Sequence, residues 1–334
     1  HWDYVIIDEA SMMDIVTMAF ILFKSQDCQF IISGDPQQIQ PVKQNEVQPE
    51  NIYQMVGLNS FAAAQNNPKV ECLNTQYRSI PTIGDLVSKF SYNDIVKPYR
   101  TQSSQKPLNL GFKISSINYI GFKTELLDNL YGLDAIDESA FHLYSAIFGY
   151  EYASYISRKV EESNPSEQYS IGIVCPYKKQ ADSIKQMIEL RDISNESCKV
   201  HCGTVHSFQG DECDIMIVVL NPPINVGKNS HVNNQNIINV AVSRAKDYVF
   251  FLVPDNITQG FPIRDVLGSL SGDEKNVLFC NKIEKVMFGQ EDYIEKHTNV
   301  TCHMPVNVYY EPSSLYEVRK DDSAVDIQIN EQFR

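Results

Sequence analysis

Two adjacent carboxylates, Asp8 and Glu9, directly follow the apolar run from Trp2 to Ile7. Side chains alternate along a strand, so neighbouring acids at its end point in different directions. One suits a Mg2+ ion held through its water shell and the other an attacking water. The same pair serves a plainer end if Asp8 simply caps the helix that follows. The next apolar run, Phe30 to Ile32, leads into Ser33-Gly34-Asp35-Pro36-Gln37-Gln38-Ile39-Gln40-Pro41-Val42. Ligands of doubly wound sheets sit outside the carboxyl ends of strands, so this loop is expected to line the same crevice as Asp8 and Glu9. An amide such as that of Gln38 can donate to a phosphate oxygen and accept from a water, which suits a γ-phosphate sensor.

These groups need elements to position them. Asp14 is a candidate N-cap for a helix over Ile15 to Phe23, giving a strand–helix–strand unit. Its continuous apolar strands predict a parallel sheet buried on both faces. A second α/β unit is predicted from strands at Ile171–Cys175, Ile215–Leu220 and Tyr248–Val253, with helices at Lys178–Leu190 and Gln235–Lys246. Between the units, Lys97 to Asn109 reads as a loop, and 116–150 resists assignment and has the character of an insertion. A helix is expected over Glu151–Glu162. Beyond Pro254 the pattern predicts a helix over Lys282–Glu295, with Glu284, Glu291, Asp292 and Glu295 on a solvated face. Alternating strands are expected at Val300–Tyr310 and Val325–Ile329.

The gross numbers agree with an ordinary globular chain. Its 334 residues correspond to roughly two domains, and no run of 18 or more apolar residues predicts a membrane span. The net charge of −14 argues against a globally basic surface for nonspecific nucleic-acid binding, yet leaves room for a local groove. None of the eight cysteines forms a C-x-x-C pair. Cys198, His201, Cys202, His206 and Cys213 cluster in sequence, either as a zinc set of unusual spacing or as reduced thiols of a cytosolic protein.

Four later segments complete a recognisable order: Leu73-Asn74-Thr75-Gln76-Tyr77-Arg78-Ser79, then Cys175-Pro176-Tyr177-Lys178-Lys179-Gln180, then Gly203-Thr204-Val205-His206-Ser207-Phe208-Gln209-Gly210-Asp211-Glu212, and finally Asn239-Val240-Ala241-Val242-Ser243-Arg244-Ala245-Lys246. With the two acidic loops, this succession resembles superfamily 1 helicases, in the branch that contains the nonsense-mediated-decay and Okazaki-fragment-processing helicases. The likeness runs from about residue 1 to 253. It implies an α/β fold with two RecA-like parallel-sheet domains, the first truncated, at 1–73 and 74–253, with the insertion near 97–150. A small α+β extension of unknown role follows at 254–334. It further implies ATP hydrolysis with Mg2+ and movement along single-stranded DNA or RNA, 5′-to-3′, with cytoplasmic or nuclear residence.

Roles carry over position by position. Asp8 is the implied Mg2+ ligand, Glu9 the residue that activates water, and Gln38 the γ-phosphate sensor. Tyr77 stacks on the base, and Arg78 and Arg244 are arginine fingers. A guanidinium fork neutralises charge spread over phosphoryl oxygens, so the chemistry fits. Arg244 by itself reads equally as a cation offsetting a helix dipole. Gln209, Gly210 and Glu212 are assigned to the nucleotide cleft. Pro176, Tyr177, Thr204 and His206 fall to the nucleic-acid side, though His206 also suits a packed histidine and Pro176 a helix's first turn.

The chain departs from the family in one respect. No G-x-x-x-x-G-K followed by Ser or Thr occurs in it. Since the downstream motifs look intact and His1 is not an initiator Met, truncation explains this better than degeneration. The missing domain parts are then expected upstream in the same full-length chain. The 334 residues alone are expected to bind ATP poorly and not to hydrolyse it. Two other readings stand beside the motor: an ATP-gated clamp that binds nucleic acid without unwinding it, and the motor module of a multidomain nuclease.

Overall fold

Asp14 starts the first helix: its carboxylate accepts from the backbone N–H of Val16 and Thr17 (3.0 and 2.9 Å) and from the Thr17 hydroxyl (2.6 Å). This satisfies donors that have no partner within the helix. That helix, α1 (Ile15–Lys24), joins β1 (Tyr4–Ile7) to β2 (Gln29–Ile32), which pair in parallel with Ile7 opposite Ile32. The computed structural model describes residues 2–39, 51–123, 130–131, 133–136, 139–208, 210–220, 235–255, 268, 270, 275–302, 311–321 and 323–333.

Ile7, Ala10 and Met18 form a small core in this first unit. The expectation of strands buried on both faces is not met. Tyr4, Ile6 and Ile31 are exposed on the two strands, and Val16, Phe20 and Phe23 on α1. An apolar run reports that a strand forms; burial requires a covering layer, and this two-stranded sheet has none over those faces among the described residues. Two short helices follow, α2 (Ile52–Met55) and α3 (Phe61–Gln65). Next come β3 (Thr75–Gln76), α4 (Pro81–Ser91) and β4 (Lys97–Pro98), with β3 and β4 parallel.

The larger unit is built on β5 (Ile117–Phe122), β8 (Tyr169–Cys175), β9 (Cys198–Thr204), β10 (Cys213–Val219), β11 (Ala245–Pro254) and β12 (Lys275–Phe279). These form one sheet in the order β12-β5-β11-β10-β8-β9, every neighbouring pair parallel. Alternation along the strands divides two cores. Ile215, Ile217, Phe250 and Leu252 face α5 (Leu143–Ser163) and α6 (Lys178–Leu190). Met216, Val218, Val249 and Phe251 face α4 and α7 (Gln235–Ser243). Ile39, from the loop after β2, is buried in this second core and ties the two units together.

The stretch 116–150 holds an internal strand of the main sheet, β5, then the antiparallel hairpin β6 (Leu133–Ile136) and β7 (Ser139–His142), then the first two turns of α5. Its many tyrosines obscured a helical pattern that begins eight residues before Glu151. After β12 come α8 (Cys280–Phe288) and α9 (Tyr293–Lys296), and a mixed sheet of β13 (Thr298–Cys302), β14 (Tyr316–Lys320) and β15 (Val325–Ile329). Of the strand expected over 300–310, residues 303–310 lie outside the described set.

The solvated acidic face expected on the C-terminal helix is corrected at Glu284, which is fully buried. Cys280, Ile283 and Glu284 share the face that α8 turns to the core. The carboxylate is matched by two donors, the Tyr144 hydroxyl at 2.5 Å and the Ile294 N–H at 2.9 Å. Glu291, Asp292 and Glu295 do lie nearer the surface, engaged by Lys282, Lys123 and Tyr131.

Candidate active site

Asp8 and Glu9 leave the carboxyl end of β1, and Gln38 lies on the loop beyond β2. The Ser33 hydroxyl (2.5 Å) and the Glu9 N–H (3.0 Å) both donate to Asp8 Oδ1. These bonds, the hydroxyl's first, hold the carboxyl below its ordinary value, so it is ionised at neutral pH. Oδ2 takes no hydrogen bond among the described residues, and an exposed anionic oxygen at a strand end fits a water-shelled Mg2+. Glu9 has φ 51°, in the left-handed region that a non-glycine residue enters at a cost. This turn lets the Ala10 N–H donate to the Ser33 carbonyl (2.9 Å) and brings the two strand ends together. Gly34 makes the approach feasible: a Cβ there would lie 2.9 Å from Ala10 N and 3.0 Å from the Tyr53 hydroxyl.

The loop that carries Gln38 is fixed by groups to which the sequence reading gave no role. Asp35 accepts from the Gln37 N–H (2.8 Å), the Gln38 side-chain amide (3.0 Å) and the Tyr92 hydroxyl (2.5 Å). Asn239 donates to the Gln37 carbonyl (2.9 Å), and Asn236 to the Gln38 carbonyl (2.8 Å). Tyr53, set among Asp35, Glu9 and Asp8, has its phenol pushed up to about 12, first by burial and then by those charges. Asp35 and Asn239 lay inside the quoted motifs. Tyr53 and Tyr92 carried no local signal, because their roles exist only once distant segments meet.

Opposite stand the arginines. Arg244 is 4% exposed, lies in the turn between α7 and β11 and donates from Nη2 to Gln38 Oε1 at 3.3 Å. Its Nε is buried with no partner among the described residues. Burial first, then the like charge of Arg78, hold the guanidinium below its ordinary value, while Glu9 pulls the other way. Arg78 donates from Nε to Glu212 (2.9 Å) and from Nη1 to the Ser243 carbonyl (2.8 Å). Lys246 pairs with the other Glu212 oxygen at 2.6 Å. The Lys246 hydrogen bond is the largest cause of a depressed Glu212 carboxyl, followed by Arg78's against the opposing effect of burial. Arg244, with its orphaned Nε, thus meets Gln38 across the junction, while Arg78 is held beside it by Glu212 and the Ser243 carbonyl. Guanidinium donors of this kind fit a polyanion such as a triphosphate.

A second cluster occupies the other end of the main sheet. Cys175 is paired with Thr204 at the ends of β8 and β9, and the Val205 N–H donates to the Cys175 carbonyl (3.2 Å). Pro176, Tyr177, Thr204 and His206 therefore adjoin. Pro176 is buried and precedes Tyr177, the N-cap of α6; Tyr177 and His206 are half-buried, and burial lowers the His206 imidazole. From here the chain doubles back across the sheet. The Phe208 ring stacks on His201 (4.9 Å), and the segment ends at Glu212 beside Arg78. Gly210 is exposed with φ 87°, and a Cβ added to it would meet no atom within 4 Å among the described residues. Gln209 lies outside the described residues. His201 Nε2 lies 3.4 Å from Cys213 Sγ, but no three metal-ligating side chains converge among the described residues.

Comparison with known proteins matches the chain to a family. An AAA domain model covers residues 58–255, more than half of the chain. The chain belongs to the AAA domain family. It is 25% identical over 286 residues to mov-10-B.1 of Danio rerio, a protein designated a helicase, covering 74% of this chain and 27% of that one. It is 25% identical over 274 residues to the ATP-dependent helicase MG140 of Mycoplasma genitalium, covering 74% of this chain and 23% of that one. The chain thus spans about a quarter of the length of these relatives. Among solved structures, the arterivirus nonstructural protein 10 helicase with DNA covers 79% of this chain and 41% of its own, at 14% identity and a TM-score of 0.39.

Proposed function

We propose that this chain forms part of a superfamily 1 helicase motor that hydrolyses ATP and moves along single-stranded nucleic acid, with residues 1–73 and 74–253 belonging to two RecA-like domains. The observation that carries the reading is the Gln38–Arg244 contact of 3.3 Å, which joins the acidic strand ends of one unit to the arginines of the other. Within it, Asp8 would hold Mg2+, whose charge would neutralise phosphate oxygens. Glu9 orients the attacking water, and Gln38 reports on the γ-phosphate. Arg78 and Arg244 stabilise the charge that develops on the transferred group. Tyr77 supplies a face for the base.

The segment from Thr204 to Glu212 supports coupling between the two ends of the sheet. It begins among Pro176, Tyr177 and His206, on the side assigned to nucleic acid, and ends on Arg78 in the cleft. Between its ends the segment is anchored by Phe208, stacked on His201, which gives a shift at one end a short route to the other. A 5′-to-3′ direction rests on the family resemblance alone. The test is nucleic-acid-stimulated ATP hydrolysis by the full-length protein and its Glu9→Gln variant. Loss of turnover together with loss of strand displacement supports the motor. Strand binding gated by ATP that survives Glu9→Gln, with no displacement by the parent, supports the clamp instead.

A further inference from the structure

Two Tyr-Arg dipeptides, Tyr77-Arg78 and Tyr99-Arg100, follow the paired strands β3 and β4 in the same register. Thr75 lies opposite Lys97 and Gln76 opposite Pro98, and the Tyr99 N–H extends the ladder to the Gln76 carbonyl (2.8 Å). Consecutive side chains on extended backbone point to opposite sides. Both arginines turn inward. Arg78 reaches Glu212 and the Ser243 carbonyl. Arg100 donates to the Arg78 carbonyl (2.8 Å) and to the buried Asp247 (2.7 Å). Both tyrosines turn outward. They are 65% and 68% exposed, with ring centroids 4.6 Å apart and planes inclined by 37°.

Two large aromatic rings left side by side in water, on a mount fixed by the ion pairs of Arg78 with Glu212 and of Arg100 with the buried Asp247, expose apolar faces that folding alone does not require. We propose that Tyr99 joins Tyr77 in a two-ring platform that binds the base of the nucleotide. This inference rests on the nucleotide-cleft reading above and adds Tyr99, which lies in none of the helicase-like segments. The rings form a shallow wedge, not a parallel stack, so ring faces remain open for a purine to cover. Neither phenol has a hydrogen-bond partner among the described residues. The platform therefore offers π-faces, and stacking of that kind tolerates different bases. Tyr99 acts on binding, while the phosphate end of the cleft sets turnover.

The experiment measures nucleic-acid-stimulated hydrolysis by the full-length protein carrying Tyr99→Ala, Tyr99→Phe or no change, with ATP, GTP and the base-free ribose 5′-triphosphate as substrates. Tyr99→Ala is expected to raise KM for ATP and GTP alike about tenfold, with kcat within about twofold, as the loss of one base stack implies. Tyr99→Phe is expected to match the parent, and all three proteins to be equal on ribose 5′-triphosphate. An unchanged KM for Tyr99→Ala overturns the platform, as does an equal loss on the base-free substrate. Those results leave the nucleotide cleft standing. A parent protein with no turnover of any triphosphate removes the cleft reading and the platform with it. Because the Tyr99 ring is exposed, the variants should melt with the parent, and a shared melting temperature separates a binding defect from misfolding.

Discussion

Arg244→Met tests the cleft most directly, because it separates what the arginine does for turnover from what it does for the fold. Among the described residues the buried guanidinium has one 3.3 Å hydrogen bond to a neutral amide, leaves its Nε unpaired and lies beside a second cation. An unpaired buried donor costs about 1–3 kcal/mol, and replacing buried ionic groups by apolar ones of similar volume is neutral or stabilising by about 1–4 kcal/mol. Methionine keeps the stem's volume and removes the charge. The native state should therefore be as stable as the parent or about 1–2 kcal/mol more stable. An arginine finger, in contrast, is worth about 10³–10⁵ in rate, or about 4–7 kcal/mol of barrier. The two effects have opposite sign and the catalytic one is larger. Stability is read from a urea or guanidinium unfolding midpoint, and turnover from single-turnover and steady-state hydrolysis in saturating nucleic acid. A protein that loses more than about 2 kcal/mol of stability while keeping turnover within tenfold would show that Arg244 is a structural cation, and the reasoning fails.

Three further outcomes follow from the same geometry. Tyr92→Phe removes the hydroxyl shared by Asp35 and Asn239 (2.5 and 3.1 Å), and should cost about 1–2 kcal/mol in the unfolding midpoint; an unchanged midpoint would show that the contact between the units contributes nothing. Burial pushes the His142 imidazole down to about 3, and both ring nitrogens are engaged in the neutral form, Nδ1 accepting from the Ser145 N–H and Nε2 donating to the Tyr131 carbonyl. Below about pH 6.5 the unfolded chain takes up the proton and the native one does not, so this contribution is complete above pH 6.5 and falls by about 1.4 kcal/mol per unit down to about pH 3. His142→Asn should flatten the midpoint-versus-pH curve through that window; parallel curves would refute the assignment. The 334 residues contain no phosphate-binding loop motif, so on their own they should show no nucleic-acid-stimulated ATP hydrolysis above background, and a measurable rate would mean that phosphates are held in another way.

What the residues alone determined was local or strictly ordered. Asp14 announced its helix because capping is decided within three residues. The runs at 171–175, 215–220 and 248–253 announced parallel strands because a strand buried on both faces must be apolar throughout. The order of Asp8, Glu9, Gln38, Arg78, Glu212 and Arg244 along the chain is where the reading of a shared cleft, proposed above, begins. Tertiary structure decided the rest. β5 looked like part of an insertion because nothing in Ile117–Phe122 says that it lies between β11 and β12, which begin only at Ala245 and Lys275. Glu284 looked solvated because a glutamate's burial depends on whether a Tyr144 hydroxyl and an Ile294 N–H arrive to meet it. Tyr53, Tyr92 and Tyr99 were silent for the same reason. A hydroxyl or a ring acquires a role from what packs against it, and packing between segments far apart in sequence leaves no periodic trace in either one.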